Sequence, residues 1–561
     1  MIYPESMIEL VPLFAILTSL GAVVPILLSR SYPNLREFWT ILAGIIKFWL
    51  VLQLLPYAIA GTSVEIQLFD LAPGLPFALK ADPLGVYFAV IASGLWIFTS
   101  FYSIGYMRGA GEKKQTRYFA SFALCLSATI GIAFSANLIT FILFYEMLTL
   151  ATYPLVIHKE NRDAIQAGRK YLSYTLTAGL MLIAATALVY HYTGSLDFTP
   201  GGLFSESDLP RPAMLLIFIL FLGAVGVKAG LMPIHSWLPA AMAAPTPVSA
   251  LLHAVAVVKS GVFAVTRVAG YVFGVETMEL YSLNDILIVL SGTTIILASL
   301  IAFAQDNLKR RLAYSTVGHL SYIVLGIALL TPLGIQGGIM HIAAHATMKI
   351  TLFFCAGAIY VSLHKTEISQ LDGIAKVMPW TMGAFAVGAM GLAGIPPING
   401  FFSKWTLILG SLEGDRMIPV IILIVSGLLN AGYFFPILYR AYFKTGSGLE
   451  HAKEASPFMV VPLVITALLS VLFGLFPNLF FNFLDLATDI SQSLFAIVAD
   501  TAGADVSGLD ISGVDISGVD ISGLDISGLD ISGLDISGAD TAAGDITADD
   551  ITGIHQITNI E

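Results

Sequence analysis

Nine ionisable side chains stand inside long apolar stretches of this sequence: Glu146, Lys228, His253, Lys259, His319, His341, His345, Lys349 and Lys404. Ionisable groups in such surroundings are unfavourable, so each is a functional-site hypothesis by default. Burial disfavours a charged ammonium and a neighbouring carboxylate favours it. A lysine held between the two can therefore load and release a proton. Histidine suits a relay because its ordinary titration range is already near neutral. Steps of four residues, from His341 to His345 and from His345 to Lys349, put three of these groups on one helix face. His253 and Lys259 are six residues apart, about 9 Å of helical rise, which a side chain and one or two waters can bridge. The chemistry these types and spacings point to is proton movement along a buried file. Two plainer readings apply. A lone histidine such as His341 can simply hydrogen-bond a neighbouring helix, and Lys47, towards the end of its apolar run, is expected to snorkel to the surface.

Elements that could position such a file follow from composition. The chain has 561 residues, 57% hydrophobic and 12% charged, about half the charged share of a soluble domain. Much of it must be solvated by lipid. Apolar runs long enough to span a bilayer predict fourteen helices, near 7–28, 38–60, 84–104, 118–135, 137–157, 169–192, 213–233, 247–270, 284–303, 312–331, 335–361, 380–410, 417–440 and 458–478. Glu5 and Glu9 stand where a cleavable signal would carry positive charge, so the first run is read as a retained helix. With the N-terminus outside, the inner loops hold 18 Lys and Arg and the outer side four, namely Lys80, Arg211, Arg267 and Arg416. That is the asymmetry expected when basic residues gather on the cytoplasmic side. The remaining five basic residues are Lys47, Lys228, Lys259, Lys349 and Lys404, all within spans.

Two spans carry breakers deep in their apolar runs. The seventh reads Lys228-Ala-Gly-Leu-Met-Pro233, and the twelfth Gly391-Leu-Ala-Gly-Ile-Pro396-Pro397-Ile-Asn-Gly400. Proline removes a backbone donor and clashes with the preceding turn, which lipid tolerates only where protein or a water-filled cavity satisfies the freed groups. Two broken helices five apart, each near a buried lysine, suggest an inverted repeat of five helices. Cys125 and Cys355 have no neighbour at metal-ligand or redox spacing and read as small packing residues. No phosphate loop or dinucleotide fingerprint is present. No catalytic, cofactor or metal site is expected in the chain.

The net charge of −11 belongs to the tail. Residues 500–561 hold 13 acidic and no basic residues, leaving 25 acidic against 27 basic elsewhere. The expected organisation is a membrane domain over 1–480, a connector over 481–499 and an extracytoplasmic tail over 500–561. From 505 to 540 an Asp recurs every fifth residue, in the pattern Asp-Ile/Val-Ser-Gly-Leu/Val/Ala. This resembles pentapeptide repeats that wind into a β-solenoid, although bulky Leu or Val precedes most of the Asp residues where that family has a small one. The other reading is a disordered acidic tail.

Four segments carry a more specific likeness: FLGAVGVKAGLMPIHSWLPAAMAAPTPVSALLHA at 221–254, AYSTVGHLSYI at 313–323, HIAAHATMKITLFFCAGAI at 341–359 and LAGIPPINGFFSKW at 392–405. In this order they resemble the antiporter-like membrane subunits of complex I, membrane-bound hydrogenases and Mrp-type cation/proton antiporters. The likeness covers about 80–445 and looks nearest to the D-type subunit of an Mrp antiporter. It implies a fourteen-helix core with both ends outside, in the cell (inner) membrane, beside other membrane subunits that include homologous ones. It also implies that Glu146, Lys228, His253, Lys259, His345 and Lys404 occupy the family's functional positions. Ala240 and Ala241 stand where relatives commonly have aspartate, and His319 where glutamine is frequent. The implied function is proton translocation in a multisubunit Na⁺/proton antiporter. The alternatives are a proton-pumping subunit of a complex I-like NADH–quinone oxidoreductase or a membrane-bound hydrogenase, and a non-conducting structural subunit. No nucleic-acid partner is implied.

Overall fold

The structure is a computed structural model that describes residues 5–204, 209–446, 449 and 453–502. The chain divides into a unit over Met1–Ile497 and another over Val498–Glu561. The Asp-Ile-Ser-Gly repeat and its two expected forms lie outside the described residues.

Helix occupies every one of the fourteen expected stretches. The helices are α1 (Val11–Leu28), α2 (Pro33–Ile59), α3 (Pro83–Gly109), α4 (Gln115–Ala133), α5 (Leu138–Val156), α6 (Arg162–Thr193) and α7 (Arg211–Ala229). The eighth, α8 (Thr246–Phe273), is followed by α9 (Leu283–Ala304), α10 (Leu308–Ala328) and α11 (Pro332–Leu363). The twelfth stretch is two helices, α12 (Pro379–Ala393) and α13 (Asn399–Glu413), and α14 (Met417–Phe443) and α15 (Pro457–Leu475) complete the set. Among the described residues, twelve helices are long and apolar enough to cross a bilayer; α10 and the α12–α13 pair fill the other two stretches. Several helices start earlier than their apolar runs. At α6 the Asn161 side chain caps the Ala164 N–H at 2.8 Å, so the polar first turn is helical although no apolar periodicity marks it.

The layout explains the apolar composition. Leu180, Val289 and Leu428 are each about two-thirds or more exposed, at 69%, 66% and 71%, and form part of the face that lipid must cover. By contrast, α8 is buried along its whole length. It packs against α7, α10 and α11 and is the axis of the bundle. It is not a uniform α-helix: Leu251–Val255 and Val268–Phe273 are π-helical turns flanking Val257–Arg267. Such turns are rare and frequently stand at functional sites.

Both expected breaks are present. α7 ends at Gly230 and α12 at Gly394, each with positive φ, 72° and 92°. Glycine alone adopts that conformation without a Cβ penalty. Pro233, Pro396 and Pro397 follow in the non-helical segments, as helix termination requires.

One element adds to the helices. β1 (Val64–Ala72) and β2 (Leu75–Ala81) form an antiparallel hairpin, with Glu65 opposite Lys80. Its alternation of apolar and polar residues from Val64 to Leu68 is short and lies between two strong helical signals. Two expectations need correction. Arg267 is no outer-loop residue. It lies in α8, 2% exposed, and its two terminal nitrogens bind Asp82 at 2.5 and 2.6 Å. Asp82 also caps the α3 N-terminus through the Gly85 N–H. Nor does Lys47 snorkel. It is fully buried near the middle of α2 and donates to Ser19 Oγ and to the Leu126 carbonyl, the latter at 3.1 Å. The helix begins five residues earlier than hydropathy suggested, which moves Lys47 away from the helix end.

The stretch read as a connector is helical over Phe483–Ala502, α16. Leu486, Ala487, Ile490 and Leu494 are buried while Asp485 and Asp489 face outwards, a one-sided apolar stripe of helical period. Gln336 of α11 donates to Thr488 at 2.7 Å and ties the helix to the bundle.

The Arg267–Asp82 pair carries a stability prediction. Arg267→Leu leaves a buried carboxylate unpaired and should destabilise the fold by about 3–5 kcal/mol. Asp82→Asn combined with Arg267→Met should recover part of that loss. Thermal unfolding in detergent measures both, and an unchanged midpoint for Arg267→Leu would contradict the pairing.

Candidate functional site

The buried cations lie around α8. Lys259 is fully buried, and its Nζ is 2.8 Å from Nδ1 of His345 on α11. No ion pair to Lys259 is present among the described residues, so a histidine takes the place a carboxylate would have. His345 lies beside the His319 ring of α10, with centroids 5.6 Å apart and planes 24° from parallel. His319 Nδ1 in turn meets His341 Nε2 at 3.1 Å, and His341 Nδ1 meets Ser403 Oγ of α13 at 2.9 Å. Each of these three histidines is 1% exposed or less. Nε2 of both His319 and His345 is buried without a hydrogen-bond partner, so each ring keeps one nitrogen uncommitted. A histidine with one committed and one free nitrogen can accept a proton on one side and give it up on the other.

His341, for which packing and function were both open readings, is therefore bonded on both sides within this cluster. His319, a departure from the resembled family, is its centre and also stacks on Tyr322 at 5.1 Å. The stripe along α11 is as the spacing requires: His341, His345 and Lys349 are all buried on one face. They do not bond to one another but reach α10, α8 and α13 separately.

Lys349 donates to Ser315 Oγ of α10 at 2.8 Å. Lys404 of α13 donates to the Leu392 carbonyl at 2.5 Å, in the last turn of α12. Lys228 stands in the last turn of α7. Both broken helices thus bring an ammonium group to a helix C-terminus, where unpaired carbonyls favour positive charge. Close packing holds Lys228 near α8. A Cβ at Gly261 would collide with the Lys228 carbonyl group, so only glycine allows the two helices to meet there.

Glu146 and Lys228 form no direct ion pair. Lys228 Nζ instead donates to the Tyr145 carbonyl at 2.6 Å and lies 3.3 Å from the centre of the Tyr145 ring. Glu146 turns towards α6, where a Cβ at Gly179 would fall 2.5 Å from its Oε1. That oxygen is buried and has no hydrogen-bond partner. The two groups are near enough to feel each other's charge but share no hydrogen bond. His253 is likewise apart from the others: it lies in the first π-helical turn against Phe353, with both ring nitrogens unpartnered. Ser315, Ser403, Tyr145, Tyr322, Asn430 and Tyr433 all touch the cluster and escaped sequence reasoning. Asn430, an amide in the apolar run of α14, carried a usable signal; the hydroxyls did not.

A polar vestibule of about 770 Å³ opens beside the segment after the α7 break, lined by Asp163, Lys170, Ala240, Asp306, Arg310 and Glu367 among others. The alanine that departs from the resembled pattern is thus in a wall whose carboxylates come from the first turn of α6 and from two loops.

Comparison with known proteins agrees with this architecture. Residues 135–430 match the family model described as NADH:quinone oxidoreductase/Mrp antiporter, transmembrane. The N-type subunit of the NADH-quinone oxidoreductase of Desulforudis audaxviator is 30% identical over 84% of this chain and 95% of its own length. The D-type subunit of the Na⁺/H⁺ antiporter of Alkalihalophilus pseudofirmus is 28% identical over 71% of this chain and 80% of its own. The fold is shared with a chain of the Mrp complex from Dietzia at a TM-score of 0.79, with 22% identity, over 89% of this chain and 99% of that one. The chain belongs to the NADH:quinone oxidoreductase/Mrp antiporter family of membrane subunits. It is a multi-pass, antiporter-like membrane protein.

Proposed function

We propose that this chain is the proton-translocating subunit of a multisubunit cation/proton antiporter, with Na⁺ as the exchanged cation. The observation that carries this reading is the buried contact series Lys259–His345, His319–His341 and His341–Ser403, next to Lys404 at the second helix break. It supports a lateral path from Lys228 through Lys259, the histidines and Lys349 to Lys404, with the two breaks as water-access points. His253, against Phe353, stands beside that path and is not a link in it. Glu146 sets the charge balance at Lys228. The partners are other membrane subunits, including homologous antiporter-like ones. The setting is the cell (inner) membrane, with both termini extracytoplasmic, as the distribution of Lys and Arg favours.

A second reading, a proton-pumping subunit of a NADH- or ferredoxin-driven oxidoreductase or hydrogenase, is favoured by the length over which the Desulforudis audaxviator relative matches. A purely structural subunit has no use for five lysines inside its apolar spans.

Recording pH gradients in proteoliposomes of the purified complex separates these. A gradient dissipated on adding Na⁺ is the expected result. A gradient formed only with a reductant and an acceptor, and indifferent to Na⁺, would transfer the chain to the second reading.

A further inference from the structure

A second connection joins Lys349 to Lys404, and it avoids the histidines. Lys349 Nζ is 2.8 Å from Ser315 Oγ, and Ser315 Oγ is 2.8 Å from the Tyr433 hydroxyl of α14. That hydroxyl also reaches Oδ1 of Asn430. Asn430 Nδ2 donates at 3.2 Å to the Leu392 carbonyl, the same oxygen that accepts from Lys404. Five helices contribute, and Lys349, Ser315, Tyr433 and Asn430 are each 1% exposed or less.

This series cannot conduct end to end, because it passes through an amide and a peptide carbonyl, neither of which exchanges a proton readily. Its chemistry is of another kind. The Tyr433 hydroxyl has one proton and two acceptors, Ser315 Oγ and Asn430 Oδ1. We propose that Tyr433 and Asn430 are positioning residues that tie the proton occupancy of Lys404 to that of Lys349, through the direction in which the Tyr433 hydroxyl points. An ammonium on Lys349 donates into Ser315 and makes it a poorer acceptor, which turns the Tyr433 proton to Asn430. The polarised amide then donates more strongly to the Leu392 carbonyl and competes with Lys404 for it. A neutral Lys349 reverses each step and leaves that carbonyl to a charged Lys404. One lysine therefore loads as the other empties.

Charged and titratable groups surround this series. His253, His319, His341, His345, Lys259 and Lys404 lie within electrostatic reach of Lys349, and Arg311 binds the Tyr433 carbonyl at 2.8 Å. Tyr322, His319 and His341 adjoin Lys404.

The inference rests on the proton-path reading, so its test carries a control for that reading. Proton flux is measured against pH in proteoliposomes holding the purified complex with the parent chain, Tyr433→Phe, Ser315→Ala, the two combined, or Lys259→Met. Tyr433→Phe keeps the ring and should assemble. Its flux should fall by about fivefold or more, with a displaced pH optimum. Ser315→Ala should act alike, and the double variant should be no worse than either. Parent flux and profile in Tyr433→Phe, with Lys259→Met inactive, overturn this inference alone. An equal loss at every pH with an unmoved optimum also overturns it, since that is mere loosening of packing. Parent flux in Lys259→Met overturns the proton path and this inference with it.

Discussion

Glu146→Gln is expected to lower proton transport by about tenfold or more, in a protein that still assembles. Glu146 is the one acidic residue of α5, and its carboxylate lies in a niche that Gly179 leaves open. Glutamine fills the same volume, so packing is preserved. Lys228 keeps its bond to the Tyr145 carbonyl and keeps its position. What changes is the charge that favours a proton on Lys228: without that counter-charge the buried ammonium is no longer supported and the loading step is lost. Because the two groups act through space and not through a hydrogen bond, moving the carboxylate should also matter. Gly179→Ala places a methyl 2.5 Å from Oε1 and should give a partial loss. Quenching of a pH-sensitive dye in proteoliposomes, with assembly checked by size exclusion, measures both. Parent rates in an assembled Glu146→Gln protein would contradict the role given to the carboxylate.

His345→Gln should abolish transport to a similar extent, again by about tenfold or more, and His345→Leu should do no better. His345 is the side chain that accepts from or donates to Lys259, at 2.8 Å, and its ring faces His319. Glutamine can still offer Lys259 an acceptor oxygen, so the lysine stays satisfied and the fold is retained. An amide, however, has no site that gains and loses a proton near neutral pH. The comparison separates a relay from a prop. If His345 only props Lys259, glutamine supports transport and leucine does not. If it relays, both fail. Stability in detergent should distinguish the two variants where transport does not, since leucine leaves the buried Lys259 amine without a partner.

The membrane helices were legible because each is an apolar run bounded by charge, and the two breaks because proline and glycine interrupt those runs at Gly230-Leu-Met-Pro233 and Gly394-Ile-Pro396-Pro397. The ionisable groups were legible for the same reason: Lys228, Lys259, Lys349 and Lys404 are conspicuous against leucine and valine. What the residues could not show is direction. Glu146 and Lys228 stand on helices linked by the bond from Lys228 to the Tyr145 carbonyl, yet the side chains diverge because one fits against Gly179 and the other lies over the Tyr145 ring. His253 was expected within the file, but a π-helical turn places it against Phe353. Neither the turn nor the rotation has a sequence signature. Ser315, Ser403 and Tyr433 are ordinary residues of membrane helices and become notable only once α10, α13 and α14 converge. The short hairpin was overlooked for want of length, and α16 because its apolar stripe is narrow. Lys47 and Arg267 were misplaced by a few residues at helix ends, where hydropathy is least informative.

The central claim is that Lys259 passes a proton on and is more than a fixed charge. The most direct measurement is proton flux into proteoliposomes containing the assembled complex, parent against Lys259→Arg. Arginine keeps the positive charge and can still donate to His345, but it does not release its proton in proteins. The relay predicts flux at the background level for Lys259→Arg and partial flux for Lys259→His. Parent-level flux in the assembled Lys259→Arg complex would contradict it and reduce Lys259 to a fixed charge beside some other path.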